Sequence, residues 1–126
     1  MRKATTHSSK KAKGKALEAW LAGELRRSGA DPTAQPMPLS GALTFFKSDI
    51  RTKLPYSFEC KNQENTKVWE WYEQAKKDAG SLEKPIVVFK RNYSQPMALL
   101  AAEDLVQMIA EIAQYYDIIS KKENGE

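Results

Sequence analysis

The sequence predicts an α/β fold in which a small mixed β-sheet is flanked by helices, and three observations carry that expectation. Apolar residues recur at helical spacing in three stretches, near each end of the chain and in its middle. "YSFECK", residues 56–61, alternates apolar and polar side chains as a strand covered on one face does. "PIVVFKR", residues 85–91, is a short and nearly unbroken apolar run, the pattern of a strand buried on both faces of a sheet.

Residues 1–10 read as a disordered basic arm, and the domain proper as 11–117. The first helix is expected from Lys11 through "KAKGKALEAWLAGELRRSG" to Gly29, with Leu17, Trp20, Leu21 and Leu25 as its buried stripe. Glu24 falls inside that stripe and Glu18 on its rim, so both carboxylates are expected to face something other than bulk water; Glu24 has Arg27 or Arg51 as an alternative partner. "ADPTAQPMPLSG" is too rich in proline for a central strand and is expected at an edge or in a loop. "ALTFFKSDIRTKL" leads into the strand at 56–61, with Tyr56, Phe58 and Cys60 on one face and Ser57, Glu59 and Lys61 on the other.

A second helix is expected over Thr66–Ala79, with Val68, Trp71, Tyr72, Ala75 and Ala79 inward, Asn65 or Thr66 as its cap and Gly80 as its stop. The strand at 85–91 belongs in the middle of the sheet. "NYSQP" turns the chain into a short strand, "MALLA", and a closing helix is expected to bury Leu105, Val106, Met108, Ile109, Ile112, Ala113 and Tyr116. Residues 118–126 read as a frayed tail. Helix, strands, helix, strand, strand, helix is the order of a small sandwich.

Composition narrows the function classes. A chain of 126 residues supports one core, and no apolar run approaches a membrane span, so a cytoplasmic protein is expected, with no membrane partner. The lone Cys60 and lone His7 are too few for a structural zinc site, which leaves oxygen ligands for any metal. The net charge of +4 is uneven: Arg2, Lys3, Lys10, Lys11, Lys13 and Lys15 meet no acid in the first 15 residues, and the remainder is net negative. Such an arm suits phosphates, and contact by all six would give a log-log salt slope of roughly −5. A merely solubilising terminus has the same composition.

Asp49, Glu59 and Lys61 form a D, nine residues, E-x-K pattern. With Asp49 at the start of one strand and Glu59 and Lys61 at the end of the next, three ionisable groups converge at one sheet edge. Two carboxylates and a backbone carbonyl such as that of Cys60 are hard oxygen ligands suited to Mg²⁺. Such a metal polarises a phosphate and acidifies a water, while a lysine positions that water or offsets charge building on phosphorus. An exposed surface ion pair between Glu59 and Lys61 is the competing reading.

"SDI…FECK" resembles the PD-(D/E)XK nuclease superfamily, and within it the archaeal-type Holliday junction resolvases and the small phage or prophage endonucleases similar to them. The resemblance extends to "KGKALE", which is similar to the resolvase helix that opens with K-G and places a glutamate four residues after the glycine, here Glu18 after Gly14, and to the helix-ending Gly29. It also takes in "VWEWYEQAKKDAG" and "PIVVFKR", and so covers residues 11–116. The resemblance implies a restriction-endonuclease-like sandwich and a Mg²⁺-dependent DNA endonuclease, with Mn²⁺ able to substitute. Glu18, Asp49 and Glu59 would be its acidic metal site, joined by the Cys60 carbonyl, and Lys61 its catalytic lysine. Ser40 in "PLSG" and Gln74 resemble accessory polar residues of these nucleases. A homodimer cutting branched DNA in recombination, replication or repair, in a prokaryotic or phage-infected cell, is implied as well. The chain departs from the pattern where Ser48, not proline, precedes the aspartate, and where Pro36 and Pro38 interrupt the first strand.

For DNA contact the candidates are Lys10, Lys11, Lys13, Lys15, Lys47, Arg51, Lys53 and Lys67, with Lys90 and Arg91 beyond them. Trp69 points off its helix's apolar stripe and suits a DNA or subunit contact, and Phe45 and Phe46 are either a wedge against DNA or core. Two other functions share these features: a nuclease of the same fold acting on nicked, flap or duplex DNA, and a non-catalytic DNA-binding module whose acidic cluster only holds the fold.

Overall fold

The computed structural model describes residues 7–38 and 48–125. Helix α1 (His7–Arg27) is followed by β1 (Gln35–Pro36), β2 (Ile50–Arg51), β3 (Tyr56–Asn62), α2 (Val68–Asp78), β4 (Lys84–Lys90), β5 (Met97–Leu99) and α3 (Ala102–Glu123). β3 and β4 run parallel with Glu59 beside Val87, and β5 joins β4 antiparallel, so β4 is central as its unbroken apolar run requires. β1 and β2 form a separate antiparallel ladder, and Pro36 pairs there at an edge with no partner strand beyond it among the described residues.

The sheet lies between two helices. On one face Leu17, Leu21 and Ala22 of α1 pack with Ile50, Phe58, Cys60, Ile86 and Val88. On the other, Trp71 and Ala75 of α2 pack on Val87 and Phe89, with the Trp71 and Phe89 rings 5.8 Å between centroids. This is the mixed-sheet α/β sandwich expected, of the restriction-endonuclease-like type.

Asp31, fully buried, ties the end of α1 to the segment after β2. Its carboxylate accepts from Thr33 Oγ1 at 2.6 Å, Thr33 N at 2.9 Å, Thr52 Oγ1 at 2.5 Å and Lys53 N at 3.0 Å. Gly29, with φ of 81°, makes the left-handed step that ends α1 and lets Asp31 N reach Leu25 O.

Several expectations are corrected. α1 begins at His7, inside the segment read as a disordered arm, and α3 continues to Glu123, through most of the tail read as frayed. The inward side of α1 carries Ala22 with Leu17 and Leu21, whereas Trp20 is exposed. α2 starts at Val68 without a side-chain cap from Asn65 or Thr66. Ser57 and Glu59 are buried, because α2 covers the face of β3 that alternation alone would leave wet. No residue of α3 is buried, since no other element lies along its apolar stripe among the described residues. Ser40, Phe45, Phe46 and Lys47 lie outside the described residues.

Candidate active site

Asp49 sits where the two sheets meet. Its main-chain N–H donates to Phe58 O at 2.8 Å and its carbonyl accepts from Met37 N at 2.8 Å, so the residue is held between β1 and β3 before any side chain is considered. Ser48 reinforces this hold: its Oγ accepts from Phe58 N at 3.1 Å and Ile50 N at 3.3 Å, and lies 3.1 Å from the carbonyl oxygens of both residues. The serine that departs from the superfamily pattern therefore fixes the aspartate with its hydroxyl. Cys60 N then donates to Asp49 Oδ2 at 2.7 Å and sets the direction of the carboxylate.

Glu59, 4% exposed, projects from β3 toward the same point. Its Oε1 is buried and has no hydrogen-bond partner among the described residues. Burial, and then the neighbouring charge of Asp49, push its carboxyl up to about 8. Burial raises Asp49 as well, against the opposing hydrogen bond from Cys60 N. The two carboxyls lie close enough to share a proton and titrate as a pair. Glu18 of α1 is half-buried near Asp49 and is raised to about 7, by burial first and the Asp49 charge second. Asp49 thus has two carboxyl neighbours, Glu59 and Glu18, and with all three pushed toward their neutral forms the site is short of positive charge.

Glu24, the competing helix carboxylate, is exposed and bonded to Arg27 NH2 at 2.8 Å. α1 thus turns Glu18 toward Asp49 and Glu24 toward solvent. The surface pair between Glu59 and Lys61 is not formed, because Glu59 is buried and Lys61 makes no ion pair among the described residues. Lys61 is half-buried and opens instead onto a groove of about 540 Å³, together with Lys10, Lys13, Asn62 and Asn65. The basic start of α1 and the E-x-K strand thereby meet in one cleft. Lys11, Lys15, Arg51, Lys53 and Lys67 are exposed, outside that groove's lining. Gln74 lies on the outer side of α2, where it lines a shallow depression with Trp69, Glu70, Glu73 and Lys77 that contains none of the acidic trio.

Asp78 escaped the sequence reading. Its charge raises both Asp49 and Glu59 from the last turn of α2. The signal was present, since Val68, Trp71, Ala75 and Asp78 follow the helical repeat of the apolar stripe and Asp78 is its one carboxylate.

Among the described residues no three acidic, histidine or cysteine side chains converge tightly enough to enclose a metal by themselves. Asp49 and the orphaned Oε1 of Glu59 offer part of a shell of hard oxygens, which fits an ion such as Mg²⁺ that keeps several of its waters. No helix among the described residues is long and apolar enough to cross a membrane.

No curated protein and no solved structure gives a significant match. A family model described as "Phage putative PDDEXK endonuclease" matches residues 9–125, a span that takes in α1, the D and E-x-K residues and α3 alike, and the chain belongs to that family.

Proposed function

We propose that the protein is a metal-dependent DNA endonuclease that hydrolyses phosphodiester bonds of branched DNA, four-way junctions in particular. The observation that carries the reading is the buried, unpartnered Glu59 oxygen next to Asp49, on the strand whose Lys61 lines a groove with Lys10 and Lys13. The carboxylates and the Cys60 carbonyl would hold Mg²⁺, or Mn²⁺ in its place. The ion would supply Lewis-acid activation of the scissile phosphate and of the attacking water.

The chain's own residues do the rest. Asp49, fixed through Ser48 and Cys60, keeps its oxygens in place without reorganisation, which is the source of electrostatic preorganisation. Lys61 brings a cation to the phosphate as negative charge grows on it, and Lys10 and Lys13 bind neighbouring phosphates of the strand. Glu59 and Asp49, sharing a proton in the absence of a cation, give it up when one enters. Ser40 acts as an accessory polar group, Gln74 lies too far round α2 to do so, and the outlying lysines and Arg51 extend the phosphate track. Junction resolution takes two such sites cutting opposed strands, hence a homodimer, acting in phage recombination, replication or repair inside the host cytoplasm.

The test is cleavage of labelled four-way junction, flap, nicked and linear duplex DNA with Mg²⁺, Mn²⁺ or EDTA, beside Lys61→Ala and Glu59→Ala. Paired metal-dependent cuts across the junction, lost in both variants, support the reading. Cuts confined to another substrate keep the nuclease and change its job. Binding without any metal-dependent cleavage makes the protein a DNA-binding module.

A further inference from the structure

α3 is a 22-residue helix with no buried residue, and most of its apolar side chains fall on one side, Val106 and Ile118 excepted. Leu105, Ile109, Ile112, Tyr116 and Ile119 alternate at spacings of four and three, the seam of a helix pair, with Met108 and Tyr115 along its flank. Ile109 and Ile112 are each 54% exposed and Tyr116 66%. Glu103, Gln107, Glu111, Gln114 and Asp117 occupy the opposite side. The exposed apolar surface is on the order of 700 Å², above what monomers ordinarily leave wet and close to one side of a standard interface.

We infer that α3 pairs antiparallel with α3 of a second copy of this chain. Charge selects both occupant and direction. Asp104 in the first turn and Lys122 in the last lie on the same flank of the stripe, whereas Glu103 and Lys121 face away from it, so an antiparallel pair centred near Ile112 sets the acidic start of one helix beside the basic end of the other through Asp104 and Lys122. A parallel pair sets like against like and aligns the two helix dipoles unfavourably. A membrane surface is a poorer occupant, because the polar side of α3 is acidic where interfacial helices are basic. Asp104, 3.6 Å from Lys84 at the start of β4, anchors the base of the helix to the domain, and the pair therefore fixes how the two domains face one another. This surface belongs to the dimer named above, yet its formation requires neither DNA nor cleavage.

Sedimentation of the full chain without DNA at 1–100 µM tests it, with helicity followed by circular dichroism. A dimer is expected for the wild-type chain. Ile109→Glu with Ile112→Glu should weaken it at least about 100-fold, whereas Gln114→Glu on the far side should leave it unchanged. Direction is read from spin labels on single cysteines, since the native Cys60 is buried. Both positions face away from the seam and share one lateral separation, to which antiparallel pairing adds an axial offset of only about 6 Å for labels at Gln114→Cys and about 27 Å for those at Glu103→Cys. A monomeric wild-type chain, a dimer indifferent to the double substitution, or equal distances at both label positions would overturn the inference. None of these outcomes bears on whether the acidic trio cuts DNA, so the two proposals fail separately.

Discussion

The main-chain N–H of Cys60 donates to Asp49 Oδ2 over 2.7 Å, so a residue whose side chain belongs to the core orients a carboxylate of the candidate active site. Main chain and hydroxyl do this positioning together, because Ser48 Oγ satisfies the Phe58 N–H two residues earlier on the same strand. Ser48→Ala removes that acceptor and leaves the Phe58 N–H unpaired, at a cost of about 1–3 kcal/mol. Urea denaturation should show a lower midpoint with an unchanged slope. DNA cleavage should fall further than stability alone explains, because Asp49 loses its fixed direction.

Glu59 is expected to destabilise the metal-free fold. Its folded value of about 8 lies above the ordinary 4.5, so the folded chain holds a proton that the unfolded chain releases between those limits. Stability without metal should therefore decline as pH rises from about 4.5 to about 8. Glu59→Gln keeps a donor for Asp49 and removes the titration, so it should raise metal-free stability at pH 8 by about 2–3 kcal/mol while abolishing cleavage. Thermal melts in EDTA at pH 5 and pH 8 check this. A Gln variant no more stable than wild type at pH 8 would mean that the carboxyl is better solvated than its burial indicates.

The acidic site was only partly legible in the residues. Asp49, Glu59 and Lys61 stand at a readable spacing, and strand alternation put the last two on one face. Alternation could not show that α2 would cover that face, and this cover turns Glu59 from a surface carboxylate into a buried one. Ser48 read as a departure from a pattern, because a hydroxyl that bonds main chain ten residues away leaves no periodic trace. α3 was misread for a related reason. Periodicity shows that a stripe must be covered, not which chain covers it, and on periodicity alone Leu105 through Tyr116 belong to the domain's own core.

The assignment of the α1 carboxylate divides cleanly between two substitutions. Glu18 is half-buried and responds to Asp49, whereas Glu24 pairs with Arg27 on the surface. Glu18→Gln should weaken Mn²⁺ binding and cleavage by about 10–100-fold, as loss of an acidic group that supports a metal commonly does. Glu24→Gln should change neither, since an exposed ion pair contributes under about 1 kcal/mol. Calorimetric titration of Mn²⁺ into each variant, followed by cleavage rates, separates them, and the reverse result would exchange the two roles.

Asp31 should govern the acid limit of the fold while taking no part in the chemistry. The Thr33 hydroxyl, then that of Thr52, with the main-chain N–H groups of Lys53 and Thr33, hold its carboxyl well below the ordinary carboxylate range. A folded value below the unfolded one contributes stability that is complete above the unfolded value of about 3.9 and is lost as pH falls through the folded one. This is the opposite sign to Glu59. Asp31→Asn keeps the shape but places an amide donor against two hydroxyls and two N–H groups that all require an acceptor. At pH 7 it should lower the thermal midpoint by roughly 5–10 °C. The gap between variant and wild type should narrow as pH falls below about 4, where the wild-type carboxylate begins to lose its advantage. Melting curves of both proteins from pH 2 to 7 read this directly, and a gap that stays constant across the range would show that Asp31 acts through packing and not through its charge.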